Sequence, residues 1–273
     1  MKKIIHFYLI FILFFGGCIE NNENKKTNND SNITTATNTN MLNYKIVAVY
    51  AHNEQNYTQG LAFYNGKIYE GTGMYDKSIL STYSLENIKP TQQIKLDKKY
   101  FGEGITIFKN KIYQLTWREH KVFVYDLKTF KKIQEFNWTF EGWGITHNDS
   151  NLIISTGSSN LYFVNPTNFK IIKTLGVYDK QGYIDQLNEL EFVDNNIYAN
   201  VYLTDNIIQI NAQTGEVEKK ADLSNLFRLI NKTNDPKSID AGYVLNGIAY
   251  NPSSKNFYIT GKCWDVMVEV TFY

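Results

Sequence analysis

The sequence predicts an all-β fold: a five-bladed β-propeller with four antiparallel strands per blade. Three observations carry this. First, an apolar strand opened by small or polar residues recurs five times, as Thr58-Gln59-Gly60-Leu61-Ala62-Phe63, Gly102-Glu103-Gly104-Ile105-Thr106-Ile107, Gly142-Trp143-Gly144-Ile145-Thr146, Leu187-Asn188-Glu189-Leu190-Glu191-Phe192 and Leu245-Asn246-Gly247-Ile248-Ala249-Tyr250. Second, each is followed by residues of hairpin chemistry: Asn65-Gly66, Lys109-Asn110, Asn148-Asp149, Asp194-Asn195 and Asn251-Pro252-Ser253-Ser254. Third, the returning strands keep step. Gly73, Trp117, Gly157 and Tyr202 each fall 14 residues after Gln59, Glu103, Trp143 and Asn188, and Lys262 falls 16 after Asn246, whose turn is longer. A unit recurring every 40 to 58 residues is the spacing of propeller blades.

Taken in chain order, residues 1–18 read as a secretory signal: Lys2-Lys3, an apolar run from Ile4 to Phe15 too short to span a bilayer, then Gly16-Gly17-Cys18. Residues 19–43 are rich in Asn, Thr, Lys and Glu and are expected to form a disordered tether. The propeller is expected over 44–273. Third strands run over Lys121–Tyr125, Asn160–Val164 and Asn206–Ile210, and fourth strands over Phe130–Phe136 and Phe169–Leu175. The last blade ends after three strands, so Tyr44–Tyr50 from the other end of the domain is expected to supply its outer strand and cover the edge.

Composition narrows function little. Lysine and arginine total 28 against 27 acidic residues, a net charge of +1, which gives no basis for a nucleic-acid partner. A closed propeller needs no partner chain, so a monomer is expected. His6 lies in the signal, and His52, His120 and His147 lack close metal-ligand spacing and read as surface or loop residues. Cys263 reads as a buried structural thiol with no partner for an intramolecular disulfide. No cofactor is expected.

The chemistry concentrates at one mouth of the channel, where the innermost strands begin. Equivalent blade positions place there one acid, Glu103; three amides, Gln59, Asn188 and Asn246; the aromatics Trp117, Trp143 and Tyr202; and the base Lys262. Such a set can hold a small polar group within aromatic walls, and a shielded carboxyl is shifted upward towards proton-transfer use. The neighbouring glycines fit either ligand approach or packing at a narrow axis. Glu191 is expected to be structurally paired, and the role of Glu189 is open.

These residues lie within the strings YTQGLAF, FGEGIT, IYQLTW, EGWGIT, LNELEFV, IYANVY, LNGIAY and TGKCW. In that order they resemble the glutaminyl-peptide cyclotransferases of the plant and bacterial type, a five-bladed propeller family. The resemblance implies conversion of N-terminal glutamine of peptides or proteins into pyroglutamate with release of ammonia, without a catalytic metal. It also implies Glu103 as the catalytic acid and base. Substrate contacts would come from Tyr57, Gln59, Trp117, Trp143, Asn188 and Lys262, with Tyr202 as a further wall. Cys18 resembles a lipobox cysteine, with Phe15 in place of the usual aliphatic residue, which implies lipid anchoring to the outer face of the cell membrane; plain secretion is the alternative. Departures from the family pattern are Tyr57 for Phe, Tyr202 for Trp, Gly71 for Ser, Thr156 for Asp, and Asp265 where Pro often follows the Trp. The rival reading is a non-catalytic propeller that binds peptide N-termini or amines in the aromatic cage.

Overall fold

The computed structural model describes residues 40–232 and 242–273. The signal, Cys18 and the tether up to residue 39 lie outside the described residues. Strand β1 (Tyr44–Ala51) is followed by the first blade, β2 (Thr58–Tyr64), β3 (Lys67–Thr72), β4 (Ile79–Ser84) and β5 (Asn87–Lys95). The second holds β6 (Gly102–Phe108), β7 (Lys111–Thr116), β8 (Lys121–Asp126) and β9 (Lys132–Asn137). The third holds β10 (Ile145–His147), β11 (Leu152–Ser155), β12 (Asn160–Val164) and β13 (Ile171–Gly176), followed by a small hairpin, β14 (Tyr178–Asp179) and β15 (Gly182–Tyr183). The fourth holds β16 (Leu187–Val193), β17 (Asn196–Val201), β18 (Asn206–Asn211) and β19 (Val217–Asp222), followed by the short helix α1 (Leu226–Leu229). The fifth holds β20 (Leu245–Asn251), β21 (Asn256–Gly261) and β22 (Val266–Phe272). Each sheet is antiparallel, and β1 pairs with β22 as the outer strand of the fifth. The inner strands β2, β6, β10, β16 and β20 neighbour one another in a closed ring.

Each junction between adjacent blades has its own apolar core. Leu80 and Ile105 meet between the first and second blades, Leu115 and Ile154 between the second and third, and Ile153 and Ile208 between the third and fourth. Ile207 and Val268 meet between the fourth and fifth, and Leu61 and Met267 between the fifth and first. The central strands β7 and β8 are buried on both faces along most of their length, whereas the outer strand β1 alternates half-buried and exposed residues because only one of its faces meets the core. The turns Asn65-Gly66, Lys109-Asn110 and Asp194-Asn195 have positive φ at both central positions, as two-residue hairpins require.

Some boundaries differ from expectation. The fourth strands start two residues late, at Lys132 and Ile171, because Phe130 (φ 55°) and Phe169 (φ 56°) are left-handed turn residues with rings buried in the inter-blade cores. Residues 142–144 of the third blade are not in a strand, although Ser155 still pairs with Gly144 through its N–H. Residues 40–43 are docked and not part of a free tether: Leu42 is buried, and its N–H donates to the Lys220 carbonyl. Its apolar side chain completes the core between the fourth and fifth blades.

At the axis, the residue after each column position is Gly60, Gly104, Gly144, Glu189 or Gly247. A Cβ at Gly60 would lie 2.3 Å from the Ile105 nitrogen, one at Gly104 2.5 Å from the Trp143 carbonyl oxygen, and one at Gly144 2.0 Å from the Asn188 carbonyl oxygen. These glycines therefore clear space for the neighbouring blade and not for a ligand. Glu189 is the exception and crosses the axis. Its two carboxyl oxygens accept the N–H groups of Ile248 at 2.7 Å and Leu61 at 3.3 Å, joining the fourth blade to the fifth and the first. Glu191 finds no basic partner among the described residues; it accepts the N–H of Phe192, and burial pushes its carboxyl up to about 8.

A second buried network fixes the segment between β1 and β2. Glu70 accepts hydrogen bonds from Asn56 Nδ2, Thr58 Oγ1 and Tyr83 Oη, and lies 3.1 Å from His52 Nε2. His52 Nδ1 lies 2.7 Å from the Trp264 carbonyl oxygen. Both ring nitrogens face acceptors, so both carry protons and His52 is an imidazolium, buried and not a surface residue as expected from sequence. Burial pulls its pKa down, but Glu70 more than offsets this and the net direction is upward; burial pushes Glu70 up, and His52 with the other donors draws it below its ordinary value.

Two outcomes are expected. Glu189→Gln sets an N–H donor against one of the two backbone N–H groups, and should destabilise the fold by about 1–3 kcal/mol, read as a lower thermal midpoint. The His52–Glu70 contribution should be full between the ordinary glutamate value of 4.5 and the ordinary histidine value of 6.5. It is lost as pH rises through the raised folded value of His52 and as pH falls through the lowered value of Glu70. Thermal midpoints of His52→Leu across pH should lack this dependence.

Candidate active site

Four of the five inner strands, β2, β6, β16 and β20, shift register at the column: between Thr58 and Gly60, Gly102 and Ile105, Leu187 and Leu190, and Leu245 and Ile248. A bulge turns a side chain out of the ordinary alternation. Here it carries Gln59, Glu103 and Asn188 to the walls of one pocket of about 220 Å³. Its lining also includes Tyr57, Trp117, Trp143, Tyr202 and Lys262, so all eight residues expected to act on substrate meet there. Asn246 does not line it. That side chain is buried behind Gln59, donating through Nδ2 to the Thr58 carbonyl at 3.0 Å and lying 3.4 Å from Gln59 Oε1.

Gln59 bridges Glu103 and Lys262. Its Nε2 donates to Glu103 Oε1 at 3.1 Å, while its Oε1 accepts from Lys262 Nζ. Donors on one side and an acceptor on the other set the orientation of the amide. Burial pushes Glu103 well above its ordinary value; Lys262 pulls it back in part, and the Glu141 and Glu119 carboxylates push it further up. Burial pulls Lys262 down to about 8 against the opposing pull of Glu103. Lys262 Nζ also sits 4.5 Å from the Tyr57 ring centroid and 5.6 Å from that of Tyr202. Such contacts favour its charged form.

The walls are tied by groups the blade repeat did not single out. Glu141 Oε2 accepts both indole N–H groups, from Trp117 at 2.8 Å and Trp143 at 3.1 Å, while Oε1 accepts Arg118 Nε at 3.0 Å. The Arg118 guanidinium covers the Trp117 ring at 3.8 Å. Phe101 and Met74 complete the lining, Phe101 packing at 5.4 Å from Trp117. Phe101 stands one residue before the strand that carries Glu103, the only sequence signal that marked it. Tyr57 and Tyr202, two of the departures noted in the sequence, bring their hydroxyls to the same place: a Cβ at Gly242 would lie 2.7 Å from the Tyr57 hydroxyl and 3.8 Å from that of Tyr202. Asn188 Oδ1 is buried with no hydrogen-bond partner among the described residues, an acceptor available to an N–H of a bound molecule.

The remaining candidates lie elsewhere. His120 is exposed and His147 half-buried. Among the described residues no group of three His, Cys, Asp or Glu side chains could hold a metal. Cys263 is a free thiol, half-buried and not buried as expected, because its left-handed backbone (φ 57°) turns it away from Lys262 and outside the pocket.

The family model described as glutamine cyclotransferase matches residues 14–272. The chain belongs to this family. It is 32% identical over 228 residues to the glutaminyl-peptide cyclotransferase of Arabidopsis thaliana, covering 83% of this chain and 70% of that protein. The crystal structure of Myxococcus xanthus glutaminyl cyclase superposes with a TM-score of 0.77 at 30% identity, covering 85% of this chain and 97% of the other. In this member of the family, one carboxylate holds two walls of the pocket. Glu141→Ala should lower kcat/KM on a glutamine-initiated peptide by about 10²-fold through misplacement of the indoles, with an altered tryptophan emission spectrum and an unchanged β-sheet circular dichroism signal.

Proposed function

We propose that this protein converts the N-terminal glutamine of peptides or proteins into pyroglutamate with release of ammonia, and that Glu103 moves the protons. The observation that supports this most is the setting of Glu103: a buried carboxyl, oriented by Gln59, facing an aromatic pocket the size of one residue. An α-amino group has a pKa of about 8, so a neutral nucleophile is available near neutral pH. The amine nitrogen attacks the γ-carboxamide carbon and forms the ring C–N bond. Glu103 Oε1, already accepting from Gln59, takes a proton from that nitrogen. The protonated Oε2 gives its proton to the departing nitrogen, the original C–N bond breaks, and ammonia leaves. Glu103 ends as it began, with one proton.

The other residues bind and orient. Trp117, Trp143 and Tyr202 enclose the side chain in its folded-back shape, so ring closure does not wait on a rare conformer. The Lys262 ammonium is placed to stabilise the oxyanion that develops on the carboxamide oxygen. Asn188 Oδ1 accepts an N–H of the substrate. The rings of Tyr57 and Tyr202 cover the Lys262 ammonium and favour its charged form.

The basic and apolar leader ending at Cys18 supports export, and we place the protein outside the cytoplasm on a lipid anchor at Cys18, acting as a monomer. Metabolic labelling with a fatty acid, compared between the native chain and Cys18→Ala, tests the anchor. For the reaction, Glu103→Gln should lower ammonia release from a glutamine-initiated dipeptide by about 10²–10⁴-fold with the fold unchanged, and EDTA should not affect the native rate. Near-native turnover by that variant overturns the role of Glu103; absence of ammonia release from the native protein favours a binding cage.

A further inference from the structure

The active-site pocket is too small for a peptide. At about 220 Å³ it falls below the ~300–1,000 Å³ of pockets that enclose larger ligands, and fits one coiled residue. A substrate that presents its first residue continues through the carbonyl of that residue. The floor is closed by the buried Gln59, Glu103 and Lys262, so the chain leaves over the rim. On the rim, Tyr57 is half-buried and Met74 exposed, and both residues also line a neighbouring groove of about 750 Å³.

Pocket and groove share a wall one residue thick. Lys262 faces the pocket and the next residue, Cys263, faces the groove. Gly73 also lines the groove, with its back to the pocket: a Cβ there would lie 2.4 Å from the Phe101 ring and 3.1 Å from Gln59 Cγ. The chemistry changes across this wall. Aromatic rings dominate the pocket, whereas the groove presents the amides of Gln55 and Gln93. Charges of both signs, Glu54 and Lys77, line it beside Cys263 and Tyr243. Amides supply both donors and acceptors, the complement of an extended peptide backbone, and the mixed charges disfavour an apolar occupant.

We infer that this groove holds the second and third residues of the peptide whose N-terminal glutamine sits in the pocket. The inference rests on the cyclotransferase reading for the pocket, and adds where the rest of the substrate lies. It makes the protein a reader of peptide length, since contacts beyond the reacting residue contribute binding that a free glutamine derivative cannot reach.

The test measures ammonia release from glutamine amide, a glutamine-initiated dipeptide and a glutamine-initiated tetrapeptide. The native protein should show kcat/KM roughly tenfold higher for the tetrapeptide than for the amide, mainly through KM. Gln93 is an exposed residue of β5, so Gln93→Trp fills the groove without entering the pocket. It should abolish the gain while leaving turnover of the amide at the native level, and Lys77→Trp, also exposed in the groove, should do the same. Equal kcat/KM along the native length series overturns the inference, as does a gain that survives both variants or an equal loss on amide and tetrapeptide. If no substrate releases ammonia, the proposed function fails by itself. Calorimetric binding then decides on the groove: tighter binding of tetrapeptide than amide, lost in Gln93→Trp, supports it, and equal binding overturns it.

Discussion

The structure depends on how closely five inner strands approach one axis. Backbone lies so near backbone that a Cβ at Gly144 would fall 2.0 Å from the Asn188 carbonyl oxygen, so side chains are excluded from that level except where one has a bonding role. Glu189 has such a role. It stands at the position that is glycine in the other four blades, and its two oxygens satisfy backbone N–H groups of the first and fifth blades that lie next to each other only because the ring is closed. The same crowding accounts for the register shifts. In β2 and β6 the register shifts beside the axial glycine, and the side chain before it, Gln59 or Glu103, emerges at the mouth. The functional ring is thus a consequence of how the core closes.

The electrostatics follow from burial. Glu103 and Lys262 lie within one enclosed site, and neither has water to stabilise its charge. Burial moves the acid up and the base down, towards each other and towards the range in which protons exchange readily. Gln59 sits between them as a neutral spacer, donating to one and accepting from the other. It leaves the second carboxyl oxygen of Glu103 for substrate. The rim adds Glu141 and Glu119, whose charges favour the protonated form of Glu103 while their oxygens hold the walls.

The replacements at Tyr57 and Tyr202 are linked. Read separately in the sequence, each changed one wall of the pocket; in the structure both hydroxyls lie by Gly242 and both rings face Lys262. Gly242 (φ 72°) leaves room for them: a Cβ there would lie 2.7 Å from the Tyr57 hydroxyl.

What the sequence determined by itself was periodic. The 14-residue step from Gln59 to Gly73 and its counterparts, the Asn-Gly and Asp-Asn turns, and the unmatched strand at residues 44–50 are local patterns, and local patterning suffices to specify strands, hairpins and blade count. Seven of the pocket-lining residues, Gln59, Glu103, Trp117, Trp143, Asn188, Tyr202 and Lys262, were legible for the same reason, because equivalent blade positions map to equivalent places around a ring; Tyr57 came from the family resemblance, and Asn246, at an equivalent position, lies behind Gln59. The tertiary structure alone decided the contacts across blades. Glu141 lies two residues from Trp143 but 24 from Trp117, and the partners of His52 stand 18 and 212 residues away. No period announces such pairs. They exist because closing the ring brings distant segments into a dry interior, where each polar atom must find whatever partner the geometry supplies.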